Sequence, residues 1–213
     1  MASRKIILFT ILALSFLCFT TTDVKVKNVL IVGDSISIGY TPFVEKALAP
    51  GVAIAHNPGN GGSTVRGLDS IATWIGKRQW DVILFNFGLH DMVFKDLDNK
   101  YDVVNGKISV TLEDYKKNLR AIVAKLKKTN AKLIFVNTTM VPENAAGRQV
   151  GDPAKYNATA LSVMKKNGIE VVDLYTASLT IHPQNSPPNN VHYTPEGYQQ
   201  LANIIVKAIR KKL

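Results

Sequence analysis

Asn28-Val29-Leu30-Ile31-Val32-Gly33-Asp34-Ser35 reads as a buried strand that stops on a turn, and the rest of the chain repeats that grammar. Val29 to Val32 are continuously apolar rather than alternating, the pattern of a strand covered on both faces. Gly33-Asp34-Ser35 then supplies residues that favour turns and helix caps. Val52–Ala55, Asp81–Phe87, Lys132–Asn137 and Glu170–Leu174 have the same character. Between them lie helix-period stretches at Thr41–Leu48, Val65–Lys77, Leu112–Lys128, Pro153–Asn167 and Pro195–Lys212. Such alternation predicts an α/β fold: one three-layer α/β/α domain with a five-stranded parallel sheet.

Boundary chemistry supports the helices. Thr111 with Asp114 three residues on resembles a capping box. Asp152 before Pro153 and Thr194 before Pro195 each combine an N-cap with a proline at the first helical position. Asn167-Gly168 suits a left-handed helix end. The long connection from Met92 to Val110 predicts a small hairpin around Asn105-Gly106 that shapes a cleft.

Residues 1–22 stand apart. Arg4 and Lys5 precede an apolar run from Ile6 to Phe19, the pattern of a secretory signal peptide, with the domain proper at 23–213. The run is shorter than the roughly 20 residues of a spanning helix, so no integral membrane span is expected in the mature form. The expected location is secreted or periplasmic. A lipoprotein anchored through Cys18 is the lesser alternative, since Leu17 stands where a small residue should. Cys18 is the only cysteine, so the domain has no disulfide, no cysteine metal site and no cysteine nucleophile.

The chain has 213 residues, 46% of them apolar, and a formal charge of +10. Losing Arg4 and Lys5 leaves +8. Such a surface can favour acidic polymers, yet many lysines (Lys116, Lys117, Lys125, Lys207, Lys211) sit on helix-period stretches and read as a solvated face. No basic motif interleaved with aromatics appears, so no nucleic-acid partner is expected.

In open α/β sheets chemistry gathers beyond the carboxyl ends of the strands. Four segments there carry it: Gly33-Asp34-Ser35, the glycine-rich loop Asn57-Pro58-Gly59-Asn60-Gly61-Gly62-Ser63-Thr64, Gly88-Leu89-His90-Asp91, and Val191-His192-Tyr193-Thr194-Pro195-Glu196-Gly197. A serine at a strand end needs a base, something to orient that base, and an oxyanion hole before it can act as a nucleophile. His192, just before the last helix, is the candidate base. Asp34 and Asp91 read as turn and loop anchors. His56 and His182 stand alone, without metal-ligand spacing.

The order and wording of these blocks resemble the SGNH (GDSL-type) hydrolases over nearly the whole chain after residue 28. The resemblance implies a flavodoxin-like strand order and hydrolysis of esters, often acetyl groups on carbohydrates. It implies neither cofactor nor metal. Carried over residue by residue, Ser35 is the nucleophile and His192 the general base. The amides of Ser35 and Gly62 are oxyanion donors. Two positions depart from the pattern. His90 stands where the family has the asparagine of Gly-x-Asn-Asp, and its ring can donate one N–H in place of the amide. Asn189 stands at the triad aspartate, three residues before His192, and can orient the base without supplying charge. That leaves three outcomes: a Ser–His dyad with a main-chain carbonyl orienting the ring, a carboxylate arriving from elsewhere (Glu196 or Asp173), or a nearly inactive protein. A silent glycan-binding protein on the same fold is the alternative of another class. A small acyl ester or an acylated carbohydrate is the expected partner, with a lipase-like or thioesterase-like hydrolase of longer chains as the alternative. Arg148, in the polar loop after the fourth strand, is a candidate contact for a substrate oxygen or carboxylate.

Overall fold

The computed structural model describes residues 25–213. The segment read as a signal peptide, with Cys18, lies outside the described residues. The described chain runs β1 (Lys27–Val32), α1 (Ser35–Leu48), β2 (Val52–His56), α2 (Thr64–Ile75), β3 (Val82–Phe85), β4 (Phe94–Lys95), β5 (Lys107–Ile108), α3 (Leu112–Leu126), β6 (Lys132–Val136), α4 (Asp152–Asn167), β7 (Glu170–Val172), α5 (Leu174–Ile181) and α6 (Pro195–Lys212).

Five strands form one parallel sheet in the order β2-β1-β3-β6-β7. This is the expected three-layer architecture. Helices α1, α5 and α6 pack together, as do α2, α3 and α4. The apolar strands are sealed between them: Val29, Ile31, Val32, Val82, Ile83, Leu84 and Phe85 have essentially no exposure. A parallel sheet needs such cover on both faces, which explains the unbroken apolar runs. The direction of connection reverses between β1 and β3, so a crevice opens at their carboxyl ends.

Three local differences from the sequence reading have physical causes. The first helix begins at Ser35, not Thr41, because Asp34 Oδ1 accepts the Ile36 N–H at 3.0 Å and caps it. Gly39 and Pro42 inside that helix obscure its periodicity. The last strand ends at Val172, since Asp173 caps a further helix, α5, by accepting the Thr176 N–H at 3.0 Å. The expected hairpin exists as β4 paired antiparallel with β5, but Asn105-Gly106 precedes β5 within a longer loop. There Asp102 Oδ1 accepts the N–H groups of Val104 and Asn105.

Candidate active site

Six segments, carrying Ser35, Asn60, His90, Tyr101, Arg148 and His192, meet around a solvent-open cleft of about 370 Å³. Ser35 opens α1 immediately after β1. As the first helical residue it carries an amide N–H without an intrahelical acceptor. His192 arrives from the loop before α6, whose start Thr194 caps through the Gly197 N–H. The two side chains meet across most of the chain, with Ser35 Oγ 2.8 Å from His192 Nε2.

The other side of the imidazole settles its tautomer. His192 Nδ1 lies 2.8 Å from Asn190 Oδ1, and that oxygen also takes the His192 main-chain N–H at 3.0 Å. A main-chain N–H only donates, so the Asn190 atom facing it is the carbonyl oxygen. Nδ1 therefore carries the ring proton, and the Nε2 lone pair faces the serine hydroxyl.

The orienting residue is thus Asn190 and not Asn189. Asn189 takes the left-handed conformation, with φ 58°, which turns the chain so that its successor reaches the ring. Asn189 lines the cleft instead. His182 fixes this loop from behind: its Nε2 lies 2.7 Å from the Asn190 carbonyl oxygen, and the ring is buried edge-on against Tyr193. Ser186 Oγ donates toward the carbonyls of Asn190 and His192 from within the same loop. No carboxylate takes the aspartate's place among the described residues. Asp173 is committed to α5 and to Asn137 Nδ2 at 2.8 Å, and Glu196 is fully exposed on the first turn of α6.

The glycine-rich loop is tied to the serine turn by two bonds. Gly61 N–H donates to the Gly33 carbonyl at 2.9 Å, and Gly33 N–H donates to Asn57 Oδ1 at 2.7 Å. A Cβ on Gly61 would stand 2.6 Å from the Gly33 oxygen, so only glycine allows this approach. Gly62 follows with φ 66°, and its N–H donates to Asn60 Oδ1 at 2.9 Å. The Asn60 carboxamide therefore occupies the donor that an oxyanion would need, and must turn aside for Gly62 to serve.

His90 lines the same cleft, and among the described residues neither ring nitrogen has a protein partner. Burial pushes its pKa down. Asp34 works in the opposite direction, while Arg148, Lys95 and His192 reinforce the lowering. A neutral ring with one open N–H results. Its neighbour Asp91 is fully buried and accepts both the N–H (2.9 Å) and the hydroxyl (2.5 Å) of Thr64. That contact couples the His90 loop to the glycine loop. Burial drives the Asp91 pKa up to about 7, against the two Thr64 donors.

Arg148 also lines the cleft, its guanidinium held by the carbonyls of Leu89 and Ala146 at 2.8 and 3.1 Å. His56 lies apart, beneath α1, with its ring 2.7 Å from Ser37 Oγ and from the Asn57 carbonyl. Among the described residues no three His, Cys, Asp or Glu side chains gather as a metal site, and no helix is long and apolar enough to cross a membrane.

The family model of the GDSL-like lipase/acylhydrolases matches residues 31–200, from β1 into α6. The chain belongs to that family. Its GDSL-like fold recurs in solved structures of low identity. A lipase/acylhydrolase from Enterococcus faecalis superposes with a TM-score of 0.72 at 21% identity, covering 88% of this chain and 97% of that one. An acetyl xylan esterase gives 0.70 at 18% identity over 85% and 99% of the two chains. The acetylxylan esterase Axe2 from Geobacillus stearothermophilus gives 0.68 at 16% identity over 86% and 94%. Comparison with curated proteins returns no match.

Three features of this GDSL-like site escape a reading of its sequence. Asn190 was hidden because counting back three residues from the histidine selects its neighbour. Asn60 was hidden because a side chain closing on its own loop leaves no periodic trace. His182 acts through the main chain of Asn190, ten residues before His192, and nothing in its spacing marks it.

Proposed function

We propose that this GDSL-like protein is a serine ester hydrolase that removes short acyl groups, acetyl above all, from a carbohydrate. The observation that carries the proposal is the hydrogen-bonded line from Asn190 through His192 to Ser35, 2.8 Å at each step, beside donors that face the cleft.

In this mechanism Ser35 Oγ attacks the acyl carbon while its proton passes to His192 Nε2. The carbonyl oxygen becomes an oxyanion, held by the Ser35 N–H, the His90 ring and the Gly62 N–H once Asn60 releases it. His192 then gives its proton to the departing sugar oxygen, and the acyl-enzyme is left. A water molecule loses a proton to His192 and attacks the acyl carbon. Collapse releases the carboxylic acid and returns the proton to Ser35. Asn190 keeps the ring in the productive tautomer throughout, but adds no negative charge beside the imidazolium.

Polar and apolar groups share the lining of the cleft. Asn60, Asn189, Asn190 and Arg148 stand among Leu89, Ala145, Ala146 and Val191, with no long apolar stretch, which supports a short acyl group on a polar alcohol over a long chain. The basic and apolar N-terminal segment supports action outside the cytoplasm, where acylated polysaccharides are met.

The test is hydrolysis of p-nitrophenyl esters of increasing chain length by the protein and its Ser35→Ala variant. Activity greatest on acetate and lost in the variant supports the proposal. Equal rates for the two proteins would leave a carbohydrate-binding protein on a hydrolase fold.

A further inference from the structure

Arg148 presents a half-buried cation to a cleft that no Asp or Glu lines. Its Nε donates to the Leu89 carbonyl at 2.8 Å and its Nη1 to the Ala146 carbonyl at 3.1 Å. Its guanidinium carbon sits 5.9 Å from the centre of the Tyr101 ring. These contacts fix the plane and use two of the five N–H groups that a guanidinium offers. The others have no protein acceptor among the described residues. No carboxylate there lies within 4.0 Å of it, although five other cations are so paired.

The mounting is built, not incidental. Gly147, with φ 67°, passes so close to the β4 lobe that a Cβ would stand 3.0 Å from Tyr101 Cβ and 3.1 Å from the Phe94 carbonyl. The Phe94 N–H donates to the Gly147 carbonyl at 2.8 Å. The loop after β6 is thereby stitched to the hairpin, and Arg148 is aimed at the carbonyl that precedes His90. None of the cleft's lining residues is Asp or Glu. The nearest acid behind the serine, Asp34, is 1% exposed and caps α1. Arg148 and Lys95 act on His90 as positive charges, against the opposing charge of the buried Asp34.

We propose that Arg148 is a carboxylate-binding residue, and that the substrate is an acylated sugar acid whose carboxylate docks on the guanidinium while its ester reaches Ser35. A planar fork with two or more parallel N–H groups matches a carboxylate. Desolvation by the hairpin and by Leu89 strengthens that pairing relative to an exposed ion pair. This assignment of substrate class rests on the esterase proposal for its catalytic half, but the binding half stands alone.

The test uses Ser35→Ala protein, which does not consume the ligand, and isothermal titration with an acetylated galacturonate oligosaccharide and its carboxyl-reduced counterpart. The acid form should bind at least about tenfold more tightly, as expected of a charge-assisted pair. Raising salt should erode the preference. Adding Arg148→Gln should bring the two ligands within about twofold, and Arg148→Lys, which keeps charge but not the fork, should fall between. Thermal melts of both variants establish that they fold. Equal affinity for acid and reduced ligands, a preference that survives Arg148→Gln, or tighter binding of a sulfated neutral oligosaccharide each overturn the assignment. Release of acetate by the wild-type protein is followed in parallel. Release at equal rates from both ligands removes the carboxylate site and leaves the esterase. A binding preference without any release removes the esterase and leaves the site.

Discussion

Asn190 Oδ1 accepts both the His192 ring proton and the His192 main-chain N–H, at 2.8 and 3.0 Å, and so does the orienting half of an aspartate's work without its charge. Changing Asn190 to Ala should release the ring and lower kcat by about 10²-fold or more, whereas Asn189→Ala should change it only a few-fold. Asn190→Asp keeps both acceptor roles and places a negative charge beside the imidazolium. Its kcat should rise by about 10- to 100-fold at neutral pH. Steady-state kinetics of the three variants on one acetyl ester check the ordering.

His90 offers an open N–H, and its lowered pKa keeps the ring neutral. Removal of one oxyanion donor costs about 10²–10³ in rate. His90→Ala should therefore lose most of kcat with little change in KM. His90→Asn, which also projects an N–H, should recover much of that loss. A ring that merely walls the cleft would give the opposite split, a raised KM with kcat intact.

Asp91 gives a pH signature in stability. Its folded pKa, about 7, lies above the ordinary 3.8. Between those values the folded protein holds a proton that the unfolded chain releases, so stability falls as pH rises through the window. Asp91→Asn keeps an oxygen for the Thr64 donors and cannot ionise. The difference in melting temperature between wild type and Asp91→Asn should shift against the wild type as pH goes from about 4 to about 7.5. A constant difference would show that Asp91 ionises normally.

Helices α1 and α6 touch where Gly39 meets the Tyr198 ring. A Cβ at Gly39 would fall 2.2 Å from that ring, which itself leans on Tyr193. Gly39→Ala should cost about 2–3 kcal/mol and lower Tm by roughly 5–10 °C in a thermal melt. Esterase activity should fall with it, since α1 carries Ser35 and α6 follows His192.

The sheet was legible because burial on both faces forces unbroken apolar runs, as at Val29–Val32 and Val82–Phe85. The ends of elements were less so. Asp34 capping α1 and Asp173 capping α5 are single side-chain decisions that override a weak helical pattern around Gly39 and a strand-like run into Leu174. Ser35 and His192 were legible only through the order of the four blocks and their resemblance to the family, since a serine turn or a lone histidine before a helix is commonplace. The choice between Asn189 and Asn190 was not, because it turns on one left-handed residue and two asparagines satisfy it equally in sequence. Asn60 closing on Gly62, and Arg148 mounted by Gly147, depend on loop paths that hydrogen bonds define only after folding.

In the proposed mechanism His192 activates Ser35 without a carboxylate behind it. Covalent labelling with a fluorophosphonate, followed by mass spectrometry of the intact protein and its peptides, reads this directly. One adduct per chain is expected, on Ser35, absent in Ser35→Ala and formed much more slowly in His192→Ala. An unlabelled wild-type protein, or an adduct on any other residue, would contradict it.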